Sequence, residues 1–227
     1  MGHWLLGITG QHGNSNASVS NALGFGHIAS EGNGLGLTAT WHGNNGTYFD
    51  AQGQVNWISS DISSSTGGAL AANQNSTAYA LSAEAGHRFR VSETGTLVPQ
   101  AQLVWGQVDG ASFTDSAGNA VNLGSNNNIV ARLGLAYEYE TLTAAGNSQK
   151  LYAIANILHD FSGSNSVNVA GAKLSSHTSA TWGELGLGGS VALGAGKSLY
   201  GEASYRQAFG NSHSNALAAN VGLRIQW

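Results

Sequence analysis

The chain has 227 residues, enough for one domain, and only 9% of them are charged, where a water-soluble domain carries about a quarter. Eight Lys and Arg against twelve Asp and Glu give a net −4, so no basic field exists for nucleic acid. The absence of cysteine excludes disulfides, thiolate metal sites and cysteine nucleophiles. No apolar run nears the roughly 18 residues of a membrane helix, and Met1-Gly2-His3-Trp4 lacks the basic start of an export signal. Low charge combined with short apolar segments predicts an all-β fold, a transmembrane antiparallel up-and-down β-barrel, with residues 1–227 as one domain.

Period-two alternation predicts ten strands, near 3–12, 33–42, 47–58, 77–90, 96–108, 128–140, 150–161, 182–193, 198–209 and 216–227. In the second, Leu35, Leu37, Ala39 and Trp41 alternate with Gly36, Thr38 and Thr40. In the third, Phe49, Ala51, Gly53, Val55 and Trp57 alternate with Tyr48, Asp50, Gln52, Gln54 and Asn56. Tyr79, Leu81, Ala83 and Ala85 oppose Ser82 and Glu84, and Ile129, Leu133, Leu135 and Tyr137 oppose Arg132, Gly134 and Glu138. The seventh strand has the weakest pattern, because Ile154 and Leu158 put apolar groups on both faces. The last alternates cleanly through Leu217, Val221, Leu223, Ile225 and Trp227. Strands of about ten residues, tilted near 40°, span roughly 25 Å, the height of an outer-membrane apolar band.

The charges sort onto one face. Asp50, Glu84, Glu138, Asp160, Glu184 and Glu202 share the polar register with Arg88, Arg132, Arg206 and Arg224, ten of the twenty charges in the chain. A soluble barrel would carry them outside, so this pattern predicts a charged lumen and a lipid-facing exterior. Six acids against four bases predict a weak cation preference for an open pore. Long Gly/Ser/Asn-rich connections at 13–32, 59–76, 109–127 and 162–181 alternate with short ones at 43–46, 91–95, 141–149 and 194–196. That alternation predicts extracellular loops on one rim and periplasmic turns, with both termini, on the other. Trp4, Trp41, Trp57, Trp105, Tyr205 and Trp227 fall where aromatic girdles sit.

The segments Gly36-Leu37-Thr38-Ala39-Thr40-Trp41, Thr47-Tyr48-Phe49-Asp50-Ala51-Gln52 and Leu81-Ser82-Ala83-Glu84-Ala85-Gly86-His87-Arg88-Phe89 resemble the β-domain of type Va autotransporters. So do Ser112-Phe113-Thr114-Asp115, Leu158-His159-Asp160-Phe161 and Gly183-Glu184-Leu185-Gly186-Leu187-Gly188, in family order along essentially the whole chain. The resemblance implies a bacterial outer-membrane translocator and anchor for an N-terminal passenger. It also implies contact with outer-membrane lipid and lipopolysaccharide, a monomeric state and no cofactor. Val221, Leu223, Ile225 and Trp227 look like the terminal signal read by the barrel-assembly machinery. Family barrels have twelve strands and a helix through the lumen, so the first two strands and that helix are expected to be missing here. Closing ten strands would pair the Trp227 strand with the Trp4 strand.

Catalytic readings are weaker. His159-Asp160 invites comparison with omptin proteases, but adjacent strand residues point to opposite faces and cannot form a hydrogen-bonded dyad. The eight histidines (His3, His12, His27, His42, His87, His159, His177 and His213) show no pair at metal-ligand spacing, so no metal is expected. Gly186-Leu187-Gly188-Gly189 lies inside a strand with no helix after it, unlike a phosphate loop. A small diffusion pore remains the principal alternative, and a Gly/Asn/Ser-rich solenoid lacks the fixed repeat it needs.

Overall fold

The computed structural model describes residues 2–22, 24–115, 118–162, 165–176, 179–194, 196–210 and 214–225. Ten long strands form one antiparallel meander: β1 (His3–Asn21), β2 (Gly24–His42), β3 (Thr47–Ser64), β4 (Gly68–His87), β6 (Gly95–Asp109), β9 (Ser125–Leu142), β10 (Ser148–Asp160), β13 (Thr181–Gly194), β14 (Lys197–Phe209) and β15 (Asn215–Ile225). A two-residue strand, β5 (Phe89–Arg90), continues β4 alongside β6. These ten are the predicted strands, each paired with its chain neighbour. No helix among the described residues is long and apolar enough to cross a membrane, which says nothing of a membrane-spanning sheet.

Two expectations change. Residues 13–32 and 59–76 are not loops: β1 to β4 run 18 to 20 residues each and remain paired well beyond the predicted span. Their Ser and Asn side chains carry little strand preference. Antiparallel pairing nonetheless satisfies the backbone, and Ser30 and Ser60 hydrogen-bond across strands at 2.8 Å. The connections at 109–127 and 162–181 also gain structure. Strands β7 (Ser112–Thr114), β8 (Ala120–Asn122), β11 (Asn165–Val169) and β12 (Ala172–Ser176) assemble into a second sheet ordered β12-β11-β8-β7. The β11–β12 turn is Ala170-Gly171, with φ of 51° and 84°, the two positive values a type I′ connection needs.

Closure of the ten strands, which an even antiparallel count leaves possible, is the other point. Among the described residues β1 pairs only with β2 and β15 only with β14, so the sheet has two free edges. Closing a barrel requires the stagger accumulated around the sheet to bring first and last strands into register, and no such register joins the described residues of these two. Ile8 on β1 and Leu217 on β15 are accordingly 82% and 80% exposed. Trp227, whose strand such a closure would have to pair with the Trp4 strand, lies outside the described residues.

The alternation separates two faces. Outward stand Leu35, Leu37, Phe49, Leu81, Leu103, Leu133, Leu135, Ile157, Leu185 and Leu187, all exposed, and no charged residue occupies this register between the aromatic levels. The few buried apolar side chains, Val98, Ala136, Leu158 and Ala208, lie instead on the polar face. That resolves the ambiguous strand: Ile154 and Leu158 point inward, while Leu151 and Ile157 point outward and are exposed.

Candidate functional site

The inner face is built around rows of directly paired residues. One row runs His42, Tyr48, Gly86, Gln100, Gly134, Asn156, Glu184 and Arg206 across β2 to β14. The glycines let long side chains lie over a neighbouring strand and reach the strand beyond. Tyr48 covers Gly86 and brings its hydroxyl within 3.0 Å of Gln100 Oε1, while donating to Glu84 at 2.7 Å. Tyr152 covers Gly188 and donates to Glu202, one strand further on. Tyr200 lies over Gly222 in the same way, and Arg224 sits 5.9 Å above the Tyr200 ring. An aromatic ring laid on a cross-strand glycine covers the backbone that the missing side chain leaves bare.

A Cβ at Gly188 would collide with the Tyr152 ring. Gly188→Ala is therefore expected to cost about 1–3 kcal/mol as the ring is displaced. Adding Tyr152→Ala should recover part of that loss in a double-mutant cycle read by urea unfolding.

From this scaffold a continuous polar chain extends from β3 to β14. Glu84 accepts from Tyr48 and is ion-paired with Arg132. Arg132 Nε donates to Gln102 at 3.0 Å and its Nη1 to Asn156 at 3.3 Å. Asn156, only 5% exposed, donates onward to Glu184 at 2.7 Å, and Arg206 donates to Glu184 at 2.6 and 3.0 Å. A second cluster joins Arg88 to Glu138, with Lys150 3.0 Å from Glu138 and 3.5 Å from Glu140. A cavity of about 520 Å³ opens beside it, lined by Glu138, Lys150, Tyr152, Glu202, Asn220 and Arg224 among others.

All ten charged residues picked from sequence fall on this face, but not in one group. Glu84, Arg132, Glu184 and Arg206 share the long chain, and Arg88 and Glu138 share the second cluster. Glu202 is held by Tyr152 and Asn220. Asp50 accepts from Thr40 and Gln52. Asp160 stands apart, accepting the Ser162 amide at 2.8 Å, while its neighbour His159 faces outward onto Thr181 at 2.9 Å. Sequence reasoning passed over Asn156, Tyr48, Tyr152, Lys150 and Glu140. The last two continue the even-numbered polar register of their strands and could have been found by extending it to the turn.

On the outer face Trp4 pairs with Trp41, and Trp41 stacks at a tilt on Phe49 with ring centroids 5.8 Å apart. Trp57 and Trp105 lie toward the opposite end. Phe49 and Trp57 are eight residues apart on β3, about 27 Å along a strand and roughly 20 Å in depth at a 40° tilt. Tyr205 also faces outward and its hydroxyl donates to Gln207 at 2.7 Å. Val221, Leu223 and Ile225 form an exposed outward row on the β15 edge. His177 and His213, like Trp227, lie outside the described residues.

The profile of the autotransporter beta-domain matches residues 1–204. The chain belongs to the autotransporter β-domain family. Among its relatives, the adhesin BmaC autotransporter of Brucella suis biovar 1 (strain 1330) is 34% identical across all of this chain, which covers 7% of that protein. The pertactin autotransporter of Bordetella parapertussis is 31% identical over 85% of this chain, which covers 21% of its length. This autotransporter β-domain thus spans a small part of the curated relatives it matches. Two solved structures share the fold. The transport unit of the autotransporter AIDA-I from Escherichia coli superposes with a TM-score of 0.84 at 20% identity, over all of this chain and 76% of that one. The β-domain of the Bordetella autotransporter BrkA gives 0.68 at 21% identity, over 99% and 92%. An autotransporter β-domain is an outer-membrane β-barrel, in keeping with the apolar exterior.

Proposed function

We infer that residues 1–227 act as one outer-membrane domain that translocates a passenger polypeptide and anchors it at the bacterial surface. The observation that carries this reading is the inverted face pattern: an apolar exterior uncharged between its aromatic levels, and an inner face whose charges are held by one another or by neighbouring polar groups. On this reading Asp50, Glu84, Arg88, Arg132, Glu138, Asp160, Glu184, Glu202, Arg206 and Arg224 line the passage. Trp4, Trp41, Trp57, Trp105 and Tyr205 set its depth in the bilayer. The row Val221, Leu223 and Ile225, continued to Trp227, is what the barrel-assembly machinery reads, because a free strand edge can template pairing. The short turns and termini face the periplasm, and the long hairpins face outward among lipopolysaccharide. The domain acts as a monomer and performs no catalysis: His159 and Asp160 point to opposite faces and can share no proton.

The test is a chimera in which residues 1–227 replace the matching part of the AIDA-I transport unit behind a reporter passenger. Reporter that becomes digestible by protease added to intact cells supports the reading. Reporter that stays inside, although the chimera inserts and shifts its gel mobility on boiling, overturns it. With Glu140, Lys150 and Arg90 added, the last opposite Thr96 on the Glu138 register, the inner face carries seven acids and six bases, one negative charge in excess. A reversal potential in planar bilayers is thus expected to favour cations modestly. Anion preference would show that these groups do not line the conducting path.

A further inference from the structure

Four of the six described histidines give a ring nitrogen to the residue directly opposite on the next strand. His12 meets Asn33 at 3.0 Å, His27 meets Ser18 at 3.2 Å, His87 meets Thr47 at 2.9 Å and His159 meets Thr181 at 2.9 Å. His3 and His42 differ. They are partners of each other in the β1–β2 register, and their rings stack with centroids 5.1 Å apart and 26° between planes. Among the described residues neither ring nitrogen of this pair has a hydrogen-bond partner, so both imidazoles keep a lone pair to offer. They are 39 residues apart in sequence, which is why no ligand spacing marks them.

We propose that His3 and His42 form a two-histidine site for a divalent transition-metal ion of the imidazole-preferring class, with Zn²⁺ as the test ion, water completing its coordination. Directly opposed residues of an antiparallel pair carry Cβ atoms about 4.5–5.5 Å apart, so both side chains can meet one ion. With Zn–N near 2.0–2.1 Å and a tetrahedral angle, two imidazoles on one ion have ring centres roughly 5 Å apart. The observed pair already stands at that separation, and rotation about each Cβ–Cγ bond aims a nitrogen inward. Thiolate ligands are absent because the chain has no cysteine, and imidazole suits zinc, copper and nickel more than magnesium or calcium. The neighbouring Tyr48 ring, 6.3 Å from His42, closes one side of the pair.

The site lies at the end of β1–β2 remote from the connecting turn, on the free edge of the sheet, where strand ends fray first. An ion bound to both strands staples that end. At ten times its Kd, Zn²⁺ should suppress local opening about elevenfold, since only the paired state binds it.

Two measurements on the refolded protein in detergent micelles decide the matter. Calorimetric titration with Zn²⁺ should give one saturable site, weakened at least tenfold by either His3→Gln or His42→Gln and unaffected by His12→Gln. Hydrogen exchange of the unmodified protein, which needs no variant to fold, should slow on adding Zn²⁺ only near residues 3–7 and 38–42. Saturable binding that persists in both His→Gln variants, or exchange at these amides that ignores Zn²⁺, overturns the site.

Discussion

Replacing Leu133 by arginine is expected to destabilise the inserted protein by about 2–4 kcal/mol, read as a fall in unfolding free energy from lipid vesicles in urea. Leu133 projects from the middle of β9 on the outward register and is 65% exposed. Its direct partners, Ala101 and Ile157, are also uncharged. In water such an exposed position tolerates a charge within about 0.5 kcal/mol. In hydrocarbon a guanidinium near the midplane must thin the bilayer or drag water with it. The substitution therefore separates the two readings of one exposed apolar sheet. Arg132, one residue earlier, makes the contrast internal: the same side chain is supported on one face and expelled from the other. A cost below 0.5 kcal/mol would mean that the outward register does not face lipid.

What could be read from sequence and what could not divides along the same lines. Period two is a local property, and the outward Leu, Ala and Trp positions declare it strand by strand. All ten spans were legible for that reason, as was the sorting of the charges. The outer halves of β1 to β4 were not. Stretches such as Gly13-Asn14-Ser15-Asn16 lie beyond the apolar band, where no hydrophobic contrast marks alternate positions, and their order comes from pairing with partners tens of residues away. Asn156 was missed because its neighbours Ile154 and Leu158 made its strand look two-sided, whereas its role depends on Arg132 and Glu184 on flanking strands. The glycine beneath each tyrosine is equally non-local: Gly188 explains Tyr152 only once the β10–β13 register is known. The pairing of His3 with His42 is non-local in the same way, set by the β1–β2 register.

The second large effect concerns the long polar chain. Arg132→Met is expected to cost about 2–4 kcal/mol, because it leaves the Glu84 carboxylate with the Tyr48 hydroxyl but no cation. The two side chains are 18% and 15% exposed, so water compensates only in part. Arg206→Met should cost under about 1 kcal/mol, since its guanidinium is 43% exposed and Glu184 keeps the Asn156 amide. Glu84→Gln added to Arg132→Met should restore more than half of the loss, because the stranded charge is then gone. This ordering follows from treating the inner network as a brace, in which the position of each charge matters more than the number of pairs. A pore lined by freely hydrated charges would give both arginine variants the same small cost. On the proposed translocator reading, a brace also reconciles a charged interior with transport: groups already satisfied by their neighbours hold the wall's shape without gripping a chain that slides past. Equal losses in the two variants would leave the wall unbraced, and the charges would then be free to engage the passenger directly.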